Sequence, residues 1–401
     1  MTNITLANST YTLVIDTGFS DTWVAGTKFQ CLTRGTRHRL PQSACAFGKL
    51  YDPATSPTYQ EIRTHSFSTQ YTDGEFLSGE MGSEDVGIGG IFLRQTIGVV
   101  ARGWWIGDGI SSGLIGLAFP SLASNVLDLG YSSLMFTLFE NESITVPPIF
   151  SLALNRPSVL DPIGGGLLAL GGIPDVPIDG PFVSVPISPL HMDTYAFYAI
   201  PIDGIAVAPP GYDPETELQL QVRRRKQSSQ KRNDRVKVFP LRKSLAPPSS
   251  NSTEASPEPG FSSTTFNSDG TQPQDAPLTA ILDSGTTLVY LPPEISAYIA
   301  SSFDPPGFYN SVAGMHIVEC NAKVPVVGVI IAGRTFWMDE RDLLGNGSGE
   351  GGGQEKSPLC ILAIQSHRGL DAVLGDAWLK GVVVVFDVGE RLVRIAARAA
   401  Y

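Results

Sequence analysis

The stretch Leu13–Gly18 (LVIDTG) decides the fold of this chain, because its pattern returns much later as Ala280–Thr287 (AILDSGTT). Each copy begins with an apolar run typical of a buried strand, which is followed by an acid, a small hydroxyl residue and a glycine. An apolar-apolar-glycine element follows each copy, as Leu114–Gly116 (LIG) and as Val373–Gly375 (VLG). This repeat of pattern predicts two β-rich lobes of similar construction, each of which contributes one carboxylate.

Most of the remaining chain consists of short runs of β-branched and aromatic residues separated by Gly, Pro and Asn. The runs that we predict to be strands include Tyr11–Ile15, Ser66–Tyr71, Gln95–Ala101, Tyr195–Ile205, Thr279–Tyr290 and Gly381–Asp387. Helical periodicity is scarce, and we expect helices near Ser121–Glu140 and Pro293–Phe303. The sequence therefore predicts a mainly β chain with an N-terminal lobe at 1–180 and a C-terminal lobe at 181–401.

The composition is that of a folded protein, since 42% of the 401 residues are apolar and 17% are charged. The net charge of −11 hides an asymmetry, because Arg223–Lys243 contains ten of the 28 basic residues and one acid. The rest of the chain carries 18 bases against 38 acids, which suits low pH and disfavours nucleic acid as a partner. The longest apolar stretches, such as Val324–Ala332 and Val382–Phe386, are too short to span a membrane.

A segment of discordant composition, 209–277, separates the two repeats. It contains the basic run Arg223–Lys226 and then becomes rich in Ser, Pro, Thr and Asn, so we predict a disordered insertion within the C-terminal lobe. It is either a tolerated surface loop or retained non-coding stretch, or a processing loop that is cut at its dibasic pairs to give a two-chain protein. Gly345–Gly353 is predicted to be a smaller flexible loop of the same kind.

Four cysteines, Cys31, Cys45, Cys320 and Cys360, allow three disulfide connectivities. Neither sequence-local pair has CxxC spacing, which argues against a zinc site or a thioredoxin-type site. The five histidines show no ligand spacing either, so we expect no metal.

Five N-glycosylation sequons agree with a secretory route: Asn3, Asn8, Asn141, Asn251 and Asn346. Met1–Thr10, in contrast, is polar and lacks the basic and apolar regions of a signal peptide. We therefore expect the chain as written to be a processed or truncated form, or the product of a gene prediction that starts too late.

The two acids of the repeat, Asp16 and Asp283, suit the hydrolysis of amides. Two carboxyls held together cannot both ionise cheaply, so the pair shares one proton. The ionised member then acts as general base on a bound water, while the protonated member polarises the scissile carbonyl and later helps to protonate the amine. In each motif the hydroxyl residue can hydrogen-bond near the carboxylate, and the glycine lets the backbone approach it closely.

Further motifs accompany the repeat: Asp21–Val24 (DTWV), Tyr71–Gly74 (YTDG), Gly113–Ala118 (GLIGLA) and Val373–Asp376 (VLGD). Together with the two Asp-[Thr/Ser]-Gly copies, they make the chain resemble the pepsin family of A1-type aspartic endopeptidases, especially its secreted fungal members. The resemblance covers nearly everything outside the insertion. It implies a bilobal, mainly β pepsin-like acid protease fold with the active-site cleft between the lobes.

The resemblance also assigns roles to individual residues. Asp16 and Asp283 would be catalytic. The residues that would support them are Thr17, Gly18, Ser284, Gly285 and Thr286, with Thr286 bonded to the outer oxygen of Asp283. The residues that would form the flap and bind substrate are Tyr71, Asp73, Gly74 and Trp23, with Trp23 bonded to the flap tyrosine. Cys31–Cys45 and Cys320–Cys360 resemble the lobe-specific disulfides of the family.

Asp73 has two readings. By resemblance it would help to accept a basic P1 residue beside the usual large apolar ones, since fungal relatives carry an acid at this position. Alternatively, it stabilises a hairpin turn.

The activity that the resemblance implies is hydrolysis of internal peptide bonds of proteins at acid pH, by direct attack of water and without a covalent intermediate. The substrate would lie extended across the cleft, beneath the flap. No cofactor is implied, and the expected partners are a protein or peptide substrate and pepstatin-type inhibitors, with no nucleic acid and no membrane span. We expect a monomer that is secreted or vacuolar.

Two departures from the family pattern affect this expectation. Phe19 stands where the family has a small hydroxyl residue that bonds the first aspartate, and the loss of that bond should alter the pKa values of the pair. In addition, 15 residues precede Asp16, so we expect the first strand, leader and propeptide of the family to be missing from the chain as written.

Other classes of function find less support in the sequence. Gly109–Gly113 (GISSG) matches a serine-hydrolase pattern, but its flanks are glycine-rich and do not predict the strand-to-helix elbow that this chemistry needs. Gly347–Gly352 matches a dinucleotide fingerprint in letters only, since it lies in a Gly/Ser/Glu loop. The alternative from a different class is a catalytically impaired pepsin-fold binding protein, which Phe19 favours and which the presence of both aspartates and Tyr71 disfavours.

Overall fold

A computed structural model describes residues 1–157, 165–190, 193–214, 236–240, 278–345, 358–367 and 372–399. Most of the predicted insertion at 209–277 and of the predicted loop Gly345–Gly353 lies outside the described residues, as does the Gly347–Gly352 pattern. Within the insertion, however, Lys237–Pro240 forms a strand that pairs with the segment 204–207, so the prediction of disorder is wrong for this stretch. In the described part of the chain, strands dominate and helices are short. The predicted mainly β class is therefore confirmed.

The first repeat lies in a seven-stranded sheet. Its strands are β1 (Thr2–Leu6), β2 (Ser9–Asp16), β3 (Thr22–Cys31), β4 (Gln60–Gln70), β5 (Phe76–Ile88), β6 (Ile91–Trp104) and β7 (Gly113–Gly116), in the order β1-β2-β7-β3-β6-β5-β4. Strand β2 buries Leu13 and Ile15 and ends at Asp16. It pairs in parallel with β7, with Asp16 opposite Gly116, so the apolar-apolar-glycine element is the strand beside the first acid.

The second repeat has the same construction. The five-stranded sheet that contains it consists of β11 (Ala199–Pro201), β14 (Thr279–Leu282), β15 (Val289–Leu291), β22 (Ile364–Ser366) and β23 (Ala372–Leu374), in the order β11-β14-β23-β15-β22. Strand β14 pairs in parallel with β23, with Leu282 opposite Leu374, as β2 pairs with β7. The strand that was predicted over Thr279–Tyr290 is therefore two strands, separated by the turn that begins at Asp283.

A third sheet joins the two halves of the chain. It contains β8 (Ile149–Leu154), β9 (Gly166–Leu170), β10 (Ile178–Pro186), β24 (Val382–Asp387) and β25 (Leu392–Arg398), in the order β10-β25-β24-β8-β9. The proposed boundary between 180 and 181 falls inside β10, which pairs with β25. Two four-stranded sheets complete the fold: β12 (Gly204–Ala208), β13 (Lys237–Pro240), β18 (Val326–Ile331) and β19 (Arg334–Trp337), and β16 (Phe308–Asn310), β17 (Met315–Glu319), β20 (Leu344–Gly345) and β21 (Leu359–Leu362).

Short helices connect the strands. In the described part of the chain they are α1 (Val126–Leu129), α2 (Leu134–Phe139), α3 (Pro293–Ser301) and α4 (Asp376–Leu379), and short 3₁₀ turns lie at Gln42–Ala44, Pro53–Thr55, Pro120–Leu122 and Glu340–Asp342. The stretch predicted as one helix near Ser121–Glu140 is divided between α1 and α2 by Gly130, whose φ of 62° is left-handed. None of these helices is long and apolar enough to cross a membrane.

The main apolar core crosses from one half of the chain to the other. Phe386 of β24 stacks on Phe150 of β8, with ring centroids 4.6 Å apart, and also packs against Tyr198. The hydroxyl of Tyr198 donates to the carbonyl of Leu117, just beyond β7. A second cluster, which includes Trp23 and Phe67, lies in the N-terminal sheet.

The disulfides pair the cysteines within each half of the chain. Cys31 is bonded to Cys45 and Cys320 to Cys360, as the resemblance implies.

Candidate active site

The two acids of the repeat meet where their strands end. Asp16 is the last residue of β2, and Asp283 directly follows β14. In each turn the glycine two positions later donates its N–H to an oxygen of the acid, from Gly18 to Asp16 Oδ1 (2.7 Å) and from Gly285 to Asp283 Oδ1 (2.8 Å). The sequence repeat is thus a repeat of local geometry.

The carboxyl groups of Asp16 and Asp283 lie within hydrogen-bonding reach of each other. Each also lies against the glycine of the opposite turn. A Cβ placed on Gly18 would be 2.7 Å from the carboxyl of Asp283, and one on Gly285 would be 2.4 Å from Cγ of Asp16. Glycine is required at both positions because any side chain would push the carboxyl groups aside.

Thr17 and Ser284 connect the two turns. The Oγ1 of Thr17 donates to the carbonyl of Leu282 (2.8 Å) and accepts the N–H of Ser284 (3.0 Å). In the reciprocal arrangement, the Oγ of Ser284 donates to the carbonyl of Ile15 (2.9 Å) and accepts the N–H of Thr17 (3.2 Å). Because both residues are buried, these bonds fix one turn against the other.

The environment favours a single proton on the pair. Burial raises the pKa of Asp16 well above its ordinary value, and the neighbouring charge of Asp283 adds to the effect, while the N–H of Gly18 opposes it. A third acid, Asp376, contributes a smaller repulsion to Asp16. Its own pKa is raised to about 7, mainly by burial, although Lys380 opposes the shift.

The two acids differ in their outer contacts. Thr286 donates its hydroxyl to Asp283 Oδ2 at 2.7 Å. The residue after the first motif, Phe19, has no hydroxyl to give Asp16, and its ring instead packs against Tyr71 with centroids 5.3 Å apart. The pair is therefore asymmetric, with a side-chain donor on one acid and an aromatic ring near the other.

Tyr71 lies in the turn of the hairpin formed by β4 and β5, the position predicted for a flap. The turn is closed by the N–H of Tyr71, which donates to the carbonyl of Glu75 (2.8 Å), and by the N–H of Gly74, which donates to the carbonyl of Tyr71 (2.9 Å). Gly74 has a φ of 92°, which explains the glycine. Trp23 Nε1 donates to the hydroxyl of Tyr71 at 2.8 Å. Burial and the charge of Asp16 raise the pKa of Tyr71 well above its ordinary value, so the phenol stays protonated.

Asp73 is exposed at the tip of the flap turn. Its Oδ1 accepts the N–H of Glu75 at 3.0 Å, and its carbonyl accepts a hydrogen bond from Arg34 at 2.7 Å. The first contact fits the turn-stabilising interpretation of Asp73 and leaves its second oxygen for another partner.

Three residues near the predicted site were missed by sequence reasoning. Trp105 packs edge-on against both Tyr71 and Trp23, at 5.6 and 5.1 Å between centroids. Glu75 is a buried acid in the flap turn, and Asp376 is a half-buried acid near the pair. The sequence held a signal for Asp376, because it ends the VLGD motif, but none that separated Trp105 from other core aromatics.

The GISSG pattern at Gly109–Gly113 does not have the geometry of a serine-hydrolase site. Ser111 of the GISSG pattern donates its hydroxyl to Asp108 Oδ1, and the pattern leads into strand β7 and not into a helix. Among the described residues, no group of three or more His, Cys, Asp or Glu side chains could hold a metal ion.

Comparisons with known proteins agree with this geometry. A sequence profile of the family described as eukaryotic aspartyl protease matches residues 1–213 and 260–398. A probable aspartic-type endopeptidase of Aspergillus fumigatus is 34% identical over 410 residues, which cover 99% of this chain and 78% of the relative. Rhizopuspepsin of Rhizopus chinensis is 26% identical over 96% of this chain and 74% of its own length. Secreted aspartic protease 5 of Candida albicans is 30% identical over 45% of this chain and 40% of its own length.

Proposed function

This chain belongs to the eukaryotic aspartyl protease family, and we propose that it is an endopeptidase that cleaves proteins at acid pH with Asp16 and Asp283 as its catalytic residues. The observation that carries the proposal is the reciprocal fit of the two turns. Each carboxyl lies against the glycine of the other turn, and Thr17 and Ser284 hold the turns together. Two acids that are held in place before the substrate binds need no rearrangement during the reaction.

The chemistry follows from one shared proton. The ionised carboxyl takes a proton from a water molecule as the water oxygen attacks the scissile carbonyl, and the protonated carboxyl transfers its proton to the carbonyl oxygen. A tetrahedral diol forms without a covalent bond to the enzyme. The carboxyl that took the proton of water transfers it to the amide nitrogen, and the C–N bond breaks. As the carbonyl reforms, one hydroxyl of the diol returns its proton to the other carboxyl, so the pair is again singly protonated.

The flap would position the substrate. An extended peptide would lie between the acids and Tyr71, whose hydroxyl is oriented by Trp23. Asp73, at the tip of the turn, would accept a basic P1 residue through its second oxygen, beside the large apolar residues that the aromatic surroundings of Tyr71 favour. Thr286 would orient the carboxyl of Asp283, because its hydroxyl donates to Oδ2.

The cellular location is inferred from the relatives and from the disulfides. The relatives include secreted proteases of Candida albicans, and two disulfides favour an oxidising compartment, so we infer a secreted or vacuolar monomer. Asn3 and Asn8 are exposed, which suits N-linked glycans at these sequons. The lobes are taken as 1–180 and 181–401, with the insertion at 209–277 in the second lobe.

The competing function is a pepsin-fold binding protein with an impaired site. Phe19 favours this alternative, since no hydroxyl is present at position 19 to donate to Asp16. Tight retention on immobilised pepstatin, which mimics the tetrahedral state, would argue against it, because a disabled cleft should bind such a mimic poorly.

The test is the cleavage of haemoglobin or casein between about pH 2 and pH 7, with pepstatin and an Asp283→Asn variant as controls. Cleavage that is strongest at acid pH and abolished by both controls supports the proposal. Absence of cleavage by folded wild-type protein at every pH contradicts it.

A further inference from the structure

The flap turn contains a buried acid that the mechanism above does not use. Glu75 lies between Gly74 and Phe76, where β5 begins, and only 7% of its surface is exposed. A buried carboxyl is costly unless it is hydrogen-bonded or protonated, so its contacts call for an explanation.

The first contact of Glu75 joins the flap to the neighbouring wall. Its Oε1 accepts the N–H of Ile106 at 2.6 Å. Ile106 directly follows Trp105, whose ring packs against Tyr71. The carboxyl of Glu75 thus holds the segment 105–106 at the side of the flap where the ring of Tyr71 rests.

The second contact of Glu75 is another acid. Its carboxyl lies within hydrogen-bonding reach of the carboxyl of Asp73, which also accepts its backbone N–H. Two carboxyls can share a hydrogen bond only if one of them carries a proton. The nearby cation, Arg34, donates to the carbonyl of Asp73 and stacks over Trp104 at 5.1 Å, and within the described structure it forms an ion pair with neither acid.

We propose that Glu75 is a positioning residue for the cleavage reaction: in its protonated form it locks the flap hairpin to the Trp105–Ile106 segment and so holds Tyr71 near Asp16. This role deepens the proposed protease function and rests on it. Three structural links carry it: the Ile106 N–H bond, the carboxyl contact with Asp73, and the packing of Trp105 on Tyr71.

The lock depends on pH because of the groups that face Glu75. Burial raises the pKa of Glu75 to about 7, the N–H of Ile106 opposes the shift, and the charge of Asp73 adds to it. Arg34 lies against Gly74, and the phenol of Tyr71 also faces Glu75. Glu75 is therefore protonated at acid pH. At neutral pH it ionises beside Asp73, and the repulsion between the buried carboxylate of Glu75 and the exposed carboxylate of Asp73 loosens the turn.

The kinetic test compares wild type with Glu75→Gln, Glu75→Ala and the control Glu80→Gln, measuring kcat and KM on a peptide substrate between about pH 4 and pH 8. The Glu75→Gln variant keeps an acceptor for the N–H of Ile106 and cannot ionise. Its KM should therefore equal that of wild type at acid pH, and it should stay low at neutral pH, where the wild-type KM rises. Ala should raise KM about two- to tenfold at acid pH, the worth of one hydrogen bond, with a smaller effect on kcat. Glu80→Gln should follow wild type, because Glu80 lies further along β5, where it accepts a hydrogen bond from Tyr59.

A second readout does not depend on activity. Hydrogen exchange at the amides of residues 71–76 and 105–107 should be faster in Glu75→Ala than in wild type at about pH 5, and unchanged in Glu75→Gln. Identical exchange in all three proteins, or a Glu75→Gln pH profile that matches wild type, overturns the role of Glu75. If wild type fails to cleave any substrate while exchange changes as expected, the proposed protease function fails and the lock on the flap stands.

Discussion

Thr17 and Ser284 each accept the other's backbone N–H, at 3.0 and 3.2 Å, although 267 positions separate them in the sequence. Their hydroxyls then donate to the carbonyls of Leu282 and Ile15, which precede the opposite acids. Every one of these bonds runs from one half of the chain to the other. The distance between Asp16 and Asp283 is therefore set by the bonds between the two turns.

Loss of one hydroxyl from this connection should impair both stability and catalysis. In Thr17→Val, the carbonyl of Leu282 and the N–H of Ser284 lose their partner in a buried place, which costs about 1–3 kcal/mol of unfolding free energy. Urea denaturation and kcat measure the two effects. Thr17→Ser keeps the hydroxyl and should lie close to wild type, and equal losses in both variants would contradict the role of the hydroxyl.

Removal of either catalytic charge should abolish activity without unfolding the protein. Asp16→Asn and Asp283→Asn preserve shape but prevent proton sharing, so we expect kcat to fall at least about 100-fold. Circular dichroism should remain that of wild type. Retention of more than a tenth of the activity in either variant would mean that the pair is not the acid and base.

The glycines of the two turns should tolerate no side chain. Gly18→Ala and Gly285→Ala each place a methyl group within 2.7 Å of the opposite carboxyl, and a displacement of about 1 Å costs on the order of 100-fold in rate. Gly35→Ala is the matched control, since a Cβ there would meet nothing within 4 Å. The prediction fails if Gly18→Ala and Gly35→Ala have the same kcat/KM.

Phe19→Ser and Phe19→Ala separate the two effects of Phe19. Both remove the ring that packs on Tyr71, but only Ser offers a donor to Asp16. A donor favours the carboxylate, so it lowers the pKa of Asp16. We expect the acid limb of the kcat/KM profile to move to lower pH in Phe19→Ser relative to Phe19→Ala. Superimposable profiles would show that the hydroxyl does not reach the acid.

Stability should fall as the pH rises towards neutrality. Burial raises the pKa of Glu75 from 4.5 to about 7, that of Asp376 from 3.8 to about 7, and that of Asp16 as well. Each group therefore contributes stability that is fully present below its unfolded pKa and is lost as the pH rises through its folded value. We expect the melting temperature to decrease between about pH 4 and pH 7.

At the acid end of the pH range, the stability depends on Asp339. Its hydrogen bonds from Arg341 lower its pKa to about 2, so its contribution is present above the unfolded value of 3.8 and is lost as the pH falls through 2. Scanning fluorimetry across this range checks both limbs. In Glu75→Gln the melting temperature should decrease less between about pH 4 and pH 7 than in wild type. A wild-type melting temperature that rises steadily from about pH 4 to pH 7 would contradict the raised pKa values of these acids.

The parts of the site that the sequence predicted are those that depend on local pattern. The Asp-Thr-Gly and Asp-Ser-Gly turns follow strands, so their acids, glycines and hydroxyls could be named from the repeat. The flap could be placed because the YTDG motif at Tyr71–Gly74 resembles that of the family. In contrast, the break between α1 and α2 depends on a left-handed Gly130, which periodicity does not reveal.

The missed residues depend on tertiary burial. Glu75 looks like a surface acid in a polar turn, and its burial and its bond to the N–H of Ile106, just beyond β6, arise from tertiary structure. Trp105 is one of five tryptophans, and its place beside Tyr71 follows from a chain reversal that composition cannot show. The raised pKa of Asp376 is likewise a property of its surroundings and not of its motif.

The third sheet has a consequence for synthesis on the ribosome. Strand β8 pairs with β24, so that Ile149 lies opposite Asp387, and β25 separates β24 from β10. Until residues 382–398 have emerged, β10 lacks the neighbour that it has in the finished sheet, and one side of β8 is open. Contacts at such separation slow folding and leave unpaired strand edges exposed in the nascent chain. The first half of this protein is thus translated long before the strands that complete its sheet exist.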